Sequence, residues 1–235
     1  MIPVERSLIP ACDVPTLEVL ERIVRATHPL EGIGGYKVGF ELGLRYGLPQ
    51  VVAAIRSFTD KPILYDHQKA GTDVPFTGER FAQVCRQAGV DAVILFPQAG
   101  PETQAHWIAA VQHVGLTPIV GGWMTHHRYT VSEGGYLEDG APLRIYLEAA
   151  RHSVREFVVP GNRPEIAREI RGRLEQSIKD PIFYAPGLIV QGGAIEAMTE
   201  ALGRRWHAII GRAITEAREP EAAARELIDK IAGER

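Results

Sequence analysis

The chain has 235 residues and a net charge of −3, with 45% hydrophobic and 23% charged residues. This is the composition of an ordinary globular protein, and it argues against a nucleic-acid-binding protein because no basic patch appears. We expect no membrane span, because no apolar run reaches about 18 residues. The N-terminus lacks a signal-peptide pattern, and Cys12 and Cys85 lie too far apart for a metal knuckle. We therefore expect a cytoplasmic protein with two reduced, packed thiols.

Short β-branched runs alternate with longer amphipathic runs along the whole chain. The predicted strands cover residues 8–13, 35–40, 63–66, 92–96, 118–124, 156–159, 181–185 and 207–210. The predicted helices cover residues 15–25, 49–58, 77–87, 102–114, 142–151, 164–177, 194–202 and 219–231. Eight strand–helix repeats favour an α/β fold of the closed (β/α)8, or TIM, barrel type, forming one domain over residues 1–235.

Three local features qualify this prediction. An open doubly wound sheet is the alternative, but no Gly-x-Gly-x-x-Gly follows the first strand. Pro10 predicts an irregular start to that strand, since proline cannot donate to a ladder. Residues 125–141 show no sustained period and contain two glycine turns, so they predict a long loop after strand five that is functional or mobile.

The segment after the third predicted strand concentrates charge. Lys69 stands between Asp66 and Asp73, which favours its ammonium form and suits a proton donor or an anchor for an anion. The carboxyl ends of barrel strands are where such folds place their chemistry. A solvated loop with a surface ion pair is the structural alternative.

If the barrel closes, the polar and glycine residues that end the other strands should meet the same site. They are Asp13, Lys37, Thr125, Pro186, Gly187, Gln191, Gly192, Gly193, Gly211 and Arg212. The last groups follow strands seven and eight, where glycine turns expose backbone N–H groups and Arg212 can pair with two oxygens. This arrangement predicts a phosphate site.

Five segments together resemble the orotidine 5′-monophosphate decarboxylase family over nearly the whole length. They are Asp13 at the end of strand one, Tyr36-Lys37-Val38-Gly39, Asp73-Val74-Pro75-Phe76-Thr77, Pro186-Gly187-Leu188-Ile189-Val190-Gln191-Gly192-Gly193 and Ile210-Gly211-Arg212-Ala213-Ile214. The chain departs from the family at strand three, where Asp66-x-x-Lys69-x-x-x-Asp73 replaces Asp-x-Lys-x-x-Asp. In an unbroken strand Asp66 and Lys69 would point to opposite faces, so we expect a bulge or a strand end at His67-Gln68.

The resemblance implies a cytoplasmic enzyme of de novo pyrimidine synthesis that decarboxylates orotidine 5′-monophosphate to UMP without metal or cofactor. It implies that Lys69 protonates C6 of the pyrimidine and that Asp66 lies against the substrate carboxylate. It implies that Lys37 and Asp13 hold the ribose hydroxyls, and that Thr125 contacts the pyrimidine and Gln191. It also implies that the phosphate is bound by Gln191, Gly193, Gly211 and Arg212, in loops that include Pro186 and Gly192. Asp73 and Thr77 would act in the neighbouring subunit of a homodimer.

Two other functions remain open. A sugar-phosphate lyase or decarboxylase of the same superfamily, of the 3-hexulose-6-phosphate synthase or 3-keto-gulonate-6-phosphate decarboxylase type, would need a metal-binding acid near the end of strand two, and Glu41 is the candidate. A non-catalytic phosphate-ligand binder would keep the phosphate site without turnover. His126 and His127, adjacent on one segment, are expected not to form a metal site, since neighbouring side chains on a strand diverge and no acid lies at ligand spacing nearby.

Overall fold

The computed structural model describes residues 1–188 and 194–233, with the backbone alone at Gln68 and Lys69. Eight parallel strands close in chain order into a barrel, so the predicted fold is confirmed. The strands are β1 Arg6–Cys12, β2 Tyr36–Gly39, β3 Ile63–Ala70, β4 Ala92–Leu95, β5 Thr117–Gly121, β6 Glu156–Val158, β7 Ile182–Pro186 and β8 Trp206–Ile210. None of the described helices is both long and apolar enough to cross a membrane.

Helices cover the outside of the barrel. They are α1 Leu17–Thr27, α2 Phe40–Tyr46, α3 Leu48–Arg56, α4 Thr77–Ala88, α5 Pro101–His113, α6 Ala141–Arg151, α7 Pro164–Leu174, α8 Ala194–Leu202, α9 Arg212–Thr215 and α10 Pro220–Ala232. Proline at the start of α3, α5, α6, α7 and α10 suits the first helical turn, where its missing N–H has no partner to lose.

The core has two shells because strand side chains alternate between faces. On β1, Leu8 packs outward among the helices and Ile9 packs inward. The inner shell joins residues from all eight strands except β2, including Leu64, Ile94 and Ile209. The described barrel interior is therefore a packed core beneath the ends of the strands.

A polar layer lies inside the barrel toward the amino ends of β1, β6, β7 and β8. Ser7 Oγ lies 2.8 Å from Nδ1 of His207, and the Tyr184 hydroxyl donates to the Glu156 carboxylate. His207 is fully buried, and its Nε2 has no hydrogen-bond partner among the described residues. Burial, then the charge of Arg205, lowers the pKa of His207 to about 3, so this ring is neutral at neutral pH.

Three predictions about elements were wrong. The first is the irregular start of strand one: β1 pairs with β8 in unbroken register from Arg6 to Pro10. Pro10 is tolerated because the pairing of β1 with β2 begins after it, at Ala11, apart from one isolated bridge at Leu8. Helix α2 was missed, since its seven residues include a glycine and begin directly at Phe40.

Strand five was predicted to run to residue 124 but ends at Gly121. A Cβ on Gly122 would lie 2.4 Å from the Pro142 carbonyl oxygen, so the chain passes too close to α6 to continue the strand. The Trp123 amide donates to the Tyr146 hydroxyl, at 3.1 Å, and not to a neighbouring strand.

Candidate active site

A cavity of about 670 Å³ opens at the carboxyl ends of the strands. Every strand or the loop after it contributes to the wall. The lining residues are Ala11, Asp13, Lys37, Asp66, Ile94, Phe96, Trp123, Met124, Thr125, Val158, Pro186, Gly187, Leu188, Ile209, Ile210, Gly211, Arg212 and Ala213. The structure therefore brings eight of the predicted site residues together: Asp13, Lys37, Asp66, Thr125, Pro186, Gly187, Gly211 and Arg212.

Three charged side chains form a row on one wall of this cavity. Nζ of Lys37 donates to both oxygens of Asp13, at 3.0 and 2.8 Å, and lies 3.7 Å from the nearer oxygen of Asp66. The Lys37 side chain is 6% exposed and that of Asp66 10%, whereas Asp13 is 41% exposed. Lys37 is thus a buried ammonium held between two carboxylates, and Asp13 presents the open end of the row to a ligand.

The strand register places this row. Lys37 pairs with Ala11 on β1 and with Leu64 on β3, and Gly39 pairs with Asp66. Ala11 and Leu64 are inward-facing, and partners in a parallel pair face the same side, so Lys37 also points inward. The neighbouring Cys12 is no nucleophile, because burial and then the charge of Asp13 raise the pKa of its thiol to about 12.

An irregularity in β3 occupies the place where the sequence departs from the family. Tyr65 pairs with Val93 and Ala70 with Leu95, so β3 advances by five residues over a distance in which β4 advances by two. The expected bulge is confirmed within this interval. Tyr65 and Ala70 both belong to the outer shell although they are five positions apart, so the alternation of faces breaks between them. Strict alternation along β3 therefore does not oblige Asp66 and Lys69 to face opposite sides.

The segment that joins β3 to α4 lies outside the cavity. Asp73 is exposed, and its carboxylate accepts from the Val74 amide at 2.7 Å. Thr77 donates to the Val74 carbonyl at 2.8 Å, and that carbonyl also accepts from Nε1 of Trp107 at 3.1 Å. Neither Asp73 nor Thr77 reaches the cavity of its own chain.

The wall opposite β3 is built from the loops after β5 and β7. A Cβ on Gly187 would lie 2.8 Å from the Thr125 side chain, and Gly187 has a φ of +81°, so glycine is required there on both counts. The Thr125 carbonyl accepts from Asn162 at 2.9 Å. Gln191, Gly192 and Gly193 of the predicted phosphate loop, and the Lys69 side chain, lie outside the described residues.

Arg212 follows β8 and is exposed at the cavity wall. Within the described ranges no carboxylate pairs with it, and the adjoining Gly211 leaves the backbone open toward the cavity. A guanidinium in this setting is available to an anionic ligand.

Sequence reasoning missed the apolar side of the cavity. It consists of Ile94, Phe96, Trp123, Met124, Val158 and Ile209. The signal was present in the inward-facing positions at the ends of the strands, such as Ile94 and Phe96, which alternate with outward residues. An apolar wall facing a charged row suits a flat ring that carries polar substituents on one edge.

The loop after β5 is more ordered than its composition predicts. It contains a short 3-10 helix, Val131–Glu133, and the Tyr129 hydroxyl donates to the Gly122 carbonyl at 2.7 Å. Glu133 accepts from Arg163 of the loop after β6, which lowers the Glu133 pKa below its usual range. The Arg163 guanidinium lies 5.8 Å from the centre of the Trp123 ring, so this contact supports the cavity wall from behind.

The histidines of this loop lie at the surface. His126 and His127 are both exposed, and the His126 ring packs edge-on against Tyr129 at 5.7 Å. Over residues 1–188 and 194–233 the structure shows no group of three or more His, Cys, Asp or Glu that could hold a metal ion. Glu41, the candidate metal-binding acid, lies in the first turn of α2 and does not line the cavity.

Comparison with known proteins decides the family. Residues 6–227 match the model of the orotidine 5′-phosphate decarboxylase / HUMPS family. The chain belongs to this family. Orotidine 5′-phosphate decarboxylase of Pyrococcus abyssi is 31% identical over 200 residues, covering 84% of this chain and 86% of that protein. That of Pyrococcus furiosus is 30% identical over 225 residues, covering 93% and 96%.

Solved structures of family members share the barrel. The orotidine 5′-phosphate decarboxylase of Pyrococcus horikoshii OT3 superposes with a TM-score of 0.80 at 27% identity, covering 96% of this chain and 99% of that chain. The enzyme of Methanocaldococcus jannaschii complexed with the inhibitor BMP gives 0.83 at 24% identity, covering 97% and 100%. Membership in the decarboxylase family confirms the prediction of an enzyme, and its named relatives are carboxy-lyases.

Proposed function

We propose that this chain decarboxylates orotidine 5′-monophosphate to uridine 5′-monophosphate in pyrimidine synthesis, without metal or cofactor. The observation that supports it most is the charged row Asp13–Lys37–Asp66 on the wall of the cavity, in a chain whose named relatives are orotidine 5′-phosphate decarboxylases. The row supplies fixed charges at the carboxyl end of a barrel, where the reacting part of a ligand would lie.

The reaction needs fixed charge more than it needs a reactive group. When the C6–carboxylate bond breaks, its electron pair stays on C6 in an orbital in the ring plane, which the pyrimidine π-system cannot delocalise. The protein therefore stabilises the developing carbanion with a nearby cation and then supplies a proton. In this proposal Lys69 does both, and its proton is regained from solvent after the product leaves.

Asp66 takes the place beside the departing group. It is 10% exposed and anchored by Lys37 at 3.7 Å, so it cannot swing away from a carboxylate bound next to it. Repulsion between the two negative groups is relieved as CO₂ forms, which favours the transition state over the bound substrate. Lys37 both fixes Asp66 and, with Asp13, offers charged hydrogen bonds to the ribose hydroxyls.

The break in β3 supports a role for Lys69 in the same cavity. The alternation of faces breaks between Tyr65 and Ala70, so the added residues of the motif do not by themselves separate Lys69 from Asp66. The metal-dependent alternative loses its candidate ligand, because Glu41 lies on α2 away from the cavity.

The phosphate end of the ligand is assigned to the loops after β7 and β8. Arg212 and Gly211 line the cavity there, with Pro186 on the adjoining strand. Gln191, Gly192 and Gly193 complete this site in the proposal, and Thr125 holds the pyrimidine together with Gln191. Binding energy from the phosphate then serves to orient the ring for reaction.

We further propose an active homodimer in which Asp73 and Thr77 complete the partner's site. Both residues lie outside their own cavity, on a segment held to α5 by Trp107. Beside them Val74 is 45% exposed and Phe76 70% exposed, an apolar surface that a second copy would cover.

Turnover of orotidine 5′-monophosphate tests the proposal directly. We expect loss of the orotidylate absorbance and formation of UMP, unchanged by a chelator. Lys69→Ala should lower kcat by about 10³-fold or more, because the cation that stabilises the carbanion and the acid that protonates it are lost together. Binding of UMP should stay nearly intact. The matched control is Lys179→Ala, an exposed lysine remote from the cavity, which should leave kcat unchanged.

The other functions give different results in the same assay. Binding of UMP without turnover of orotidine 5′-monophosphate would indicate a phosphate-ligand binder. Turnover of a hexulose 6-phosphate that a chelator abolishes would indicate the metal-dependent lyase. Full activity in Lys69→Ala would overturn the assigned role of that residue.

A further inference from the structure

The irregular part of β3 lies between two well-anchored ends. At its start Leu64 and Tyr65 pair with Ala92 and Val93, and on the β2 side the pairing ends at Asp66. At its end the Ala70 carbonyl accepts from the Phe96 amide at 2.7 Å. The register of β3 against β4 shifts between these anchors, from Tyr65 to Ala70, across residues 67–69. Contacts outside the strand ladder can help to fix the course of the backbone there.

His67 is the residue of this stretch whose side chain the structure describes. Its Nδ1 shares a hydrogen bond with the Tyr65 hydroxyl. Its ring also packs edge-on against Phe81 of α4, at 6.2 Å between centres. Phe81 in turn packs against Tyr65 at 6.3 Å and against Trp107 of α5 at 5.0 Å. The first residue of the irregular stretch is thus tied to the helical layer.

The local sequence is suited to this contact. A Cβ on Gly43 of α2 would lie 3.4 Å from the Tyr65 hydroxyl, an ordinary contact distance, so the hydroxyl lies close to α2. Burial raises the pKa of Tyr65 to about 12, so the phenol keeps its proton at neutral pH and can share a hydrogen bond with Nδ1 of His67.

We propose that His67 is a positioning residue, whose hydrogen bond to Tyr65 fixes the β3 backbone between Asp66 and Ala70 and so the point from which Lys69 leaves the strand. His67 is one of the residues by which this chain exceeds the family spacing, so the contact compensates for the longer motif. The inference rests on the proposed function of Lys69. Displacement of a reacting group by about 1 Å can cost about 100-fold in rate, so a small shift of this backbone would slow turnover.

Four variants separate the hydrogen bond from the ring packing. Tyr65→Phe removes the phenol hydroxyl, His67→Phe keeps a ring against Phe81 without Nδ1, and Tyr65→Phe/His67→Phe removes both hydrogen-bonding groups. His67→Asn restores a short polar group in place of Nδ1. The control for loss of a phenol is Tyr136→Phe, since Tyr136 is fully exposed.

We expect each single Phe variant to lower kcat by about 10- to 100-fold with UMP binding unchanged within about twofold. The double variant should be no slower than either single one, because both remove the same bond. His67→Asn should recover most of kcat, and Tyr136→Phe should match the parent protein. Unchanged kcat in the single variants, additive losses, or equal losses of kcat and UMP binding would each overturn the proposal.

Hydrogen exchange gives a readout that does not depend on the reaction. The peptide containing residues 67–70 should exchange about tenfold faster in both single Phe variants and return toward the parent rate in His67→Asn. If the parent protein shows no turnover, the proposed function fails, and this measurement still decides whether His67 positions β3. Unchanged exchange in that peptide would overturn the positioning role itself.

Discussion

Lys37 is the charged side chain that the cavity constrains most. It is 6% exposed and bonded to Asp13 on one side while Asp66 lies 3.7 Å away on the other. A buried ammonium is tolerated only with such partners, because its desolvation is otherwise too costly. Removal of Lys37 would leave two carboxylates close together in a poorly solvated place, so its structural and ligand-binding roles cannot be separated by deletion. Arg212 is a better first target.

Arg212→Ala is expected to lower kcat/KM by an amount that corresponds to a loss of about 2–4 kcal/mol of transition-state stabilisation, since a charge-assisted contact to phosphate is lost. Steady-state kinetics with orotidine 5′-monophosphate measure the effect. Because Arg212 is exposed, the free energy of unfolding should hardly change.

Arg218→Ala provides the matched control for Arg212→Ala. This exposed arginine lies six positions further along the chain and does not line the cavity. Its kcat/KM should equal that of the parent protein. Unchanged kcat/KM in Arg212→Ala would remove Arg212 from the phosphate site.

At the scale of elements, the loop after β5 is held by one ion pair that is largely shielded from solvent. Arg163 and Glu133 are 17% and 22% exposed at their side chains, and Arg163 also lies over Trp123 of the cavity wall. A second ion pair of similar chemistry, Arg144 with Glu138, follows the same loop but is 69% and 62% exposed. The two pairs allow a comparison in which mainly the burial differs.

Arg163→Ala should lower the free energy of unfolding by about 1–2 kcal/mol, because Glu133 loses a charged donor and Trp123 loses its cation. Amides of residues 126–140 should exchange faster, and KM should rise more than kcat falls. Arg144→Ala should stay within about 0.5 kcal/mol of the parent protein, since exposed pairs contribute little. Equal effects of the two substitutions would contradict the structural role given to the Arg163–Glu133 pair.

Sequence periodicity predicted the elements well where the pattern repeats, and failed where tertiary contacts decide. All eight strands and eight of the helices follow from alternation and helical spacing, and α8 was placed to the residue. Strand five was overextended because the approach of Gly122 to Pro142 is a contact between distant residues, invisible to local pattern.

The charged half of the site was easier to predict than the apolar half. Asp13, Lys37 and Asp66 stand at strand ends and are uncommon in a buried core, so their types and positions identified them. Trp123 and Phe96 look like ordinary core residues in the sequence, and only the closed barrel shows that they face a cavity. The structure of the loop after β5 could not be predicted from its own sequence either, since it depends on a contact with Arg163 from a different loop.

At the scale of the whole molecule, the buried His207 makes stability depend on pH. The pKa of His207 is lowered to about 3 in the fold from an ordinary value of 6.5, so the unfolded chain binds a proton more readily. Stability is full above pH 6.5 and falls by about 1.4 kcal/mol for each pH unit as the pH drops toward 3. The carboxylates with lowered pKa, such as Glu133, add to the loss only below about 4.5.

His207→Gln should flatten the pH dependence of the unfolding free energy between pH 6.5 and 4.5, because glutamine does not titrate. Denaturant titrations at several pH values measure this slope. The variant is expected to be less stable at pH 7, since the bond to Ser7 changes, so the slope and not the absolute value is the test. An identical slope in both proteins would show that His207 does not control this range.

Assembly can be tested by mixing two inactive proteins. Lys69→Ala and Asp73→Ala subunits should regain activity together, because one site of a mixed dimer receives both intact residues. About half of the randomly exchanged dimers are mixed, and each holds one complete site, so recovery should approach a quarter of the parent activity. Absence of recovery, with subunit exchange shown by a fluorescent label, would place Asp73 in the site of its own chain.

The packed interior beneath the cavity limits the routes by which ligands can enter and leave. Side chains such as Ile9, Leu64 and Ile119 fill the barrel below the cavity, and the layer with Glu156 and His207 lies beneath them. In the described part of the molecule a ligand therefore enters and leaves through the same opening at the carboxyl ends of the strands. Under the proposed function, CO₂ released at the inner wall has to pass the bound nucleotide, and the product nucleotide has to leave before another substrate binds. Product and substrate would then exclude each other, and the product would act as a purely competitive inhibitor.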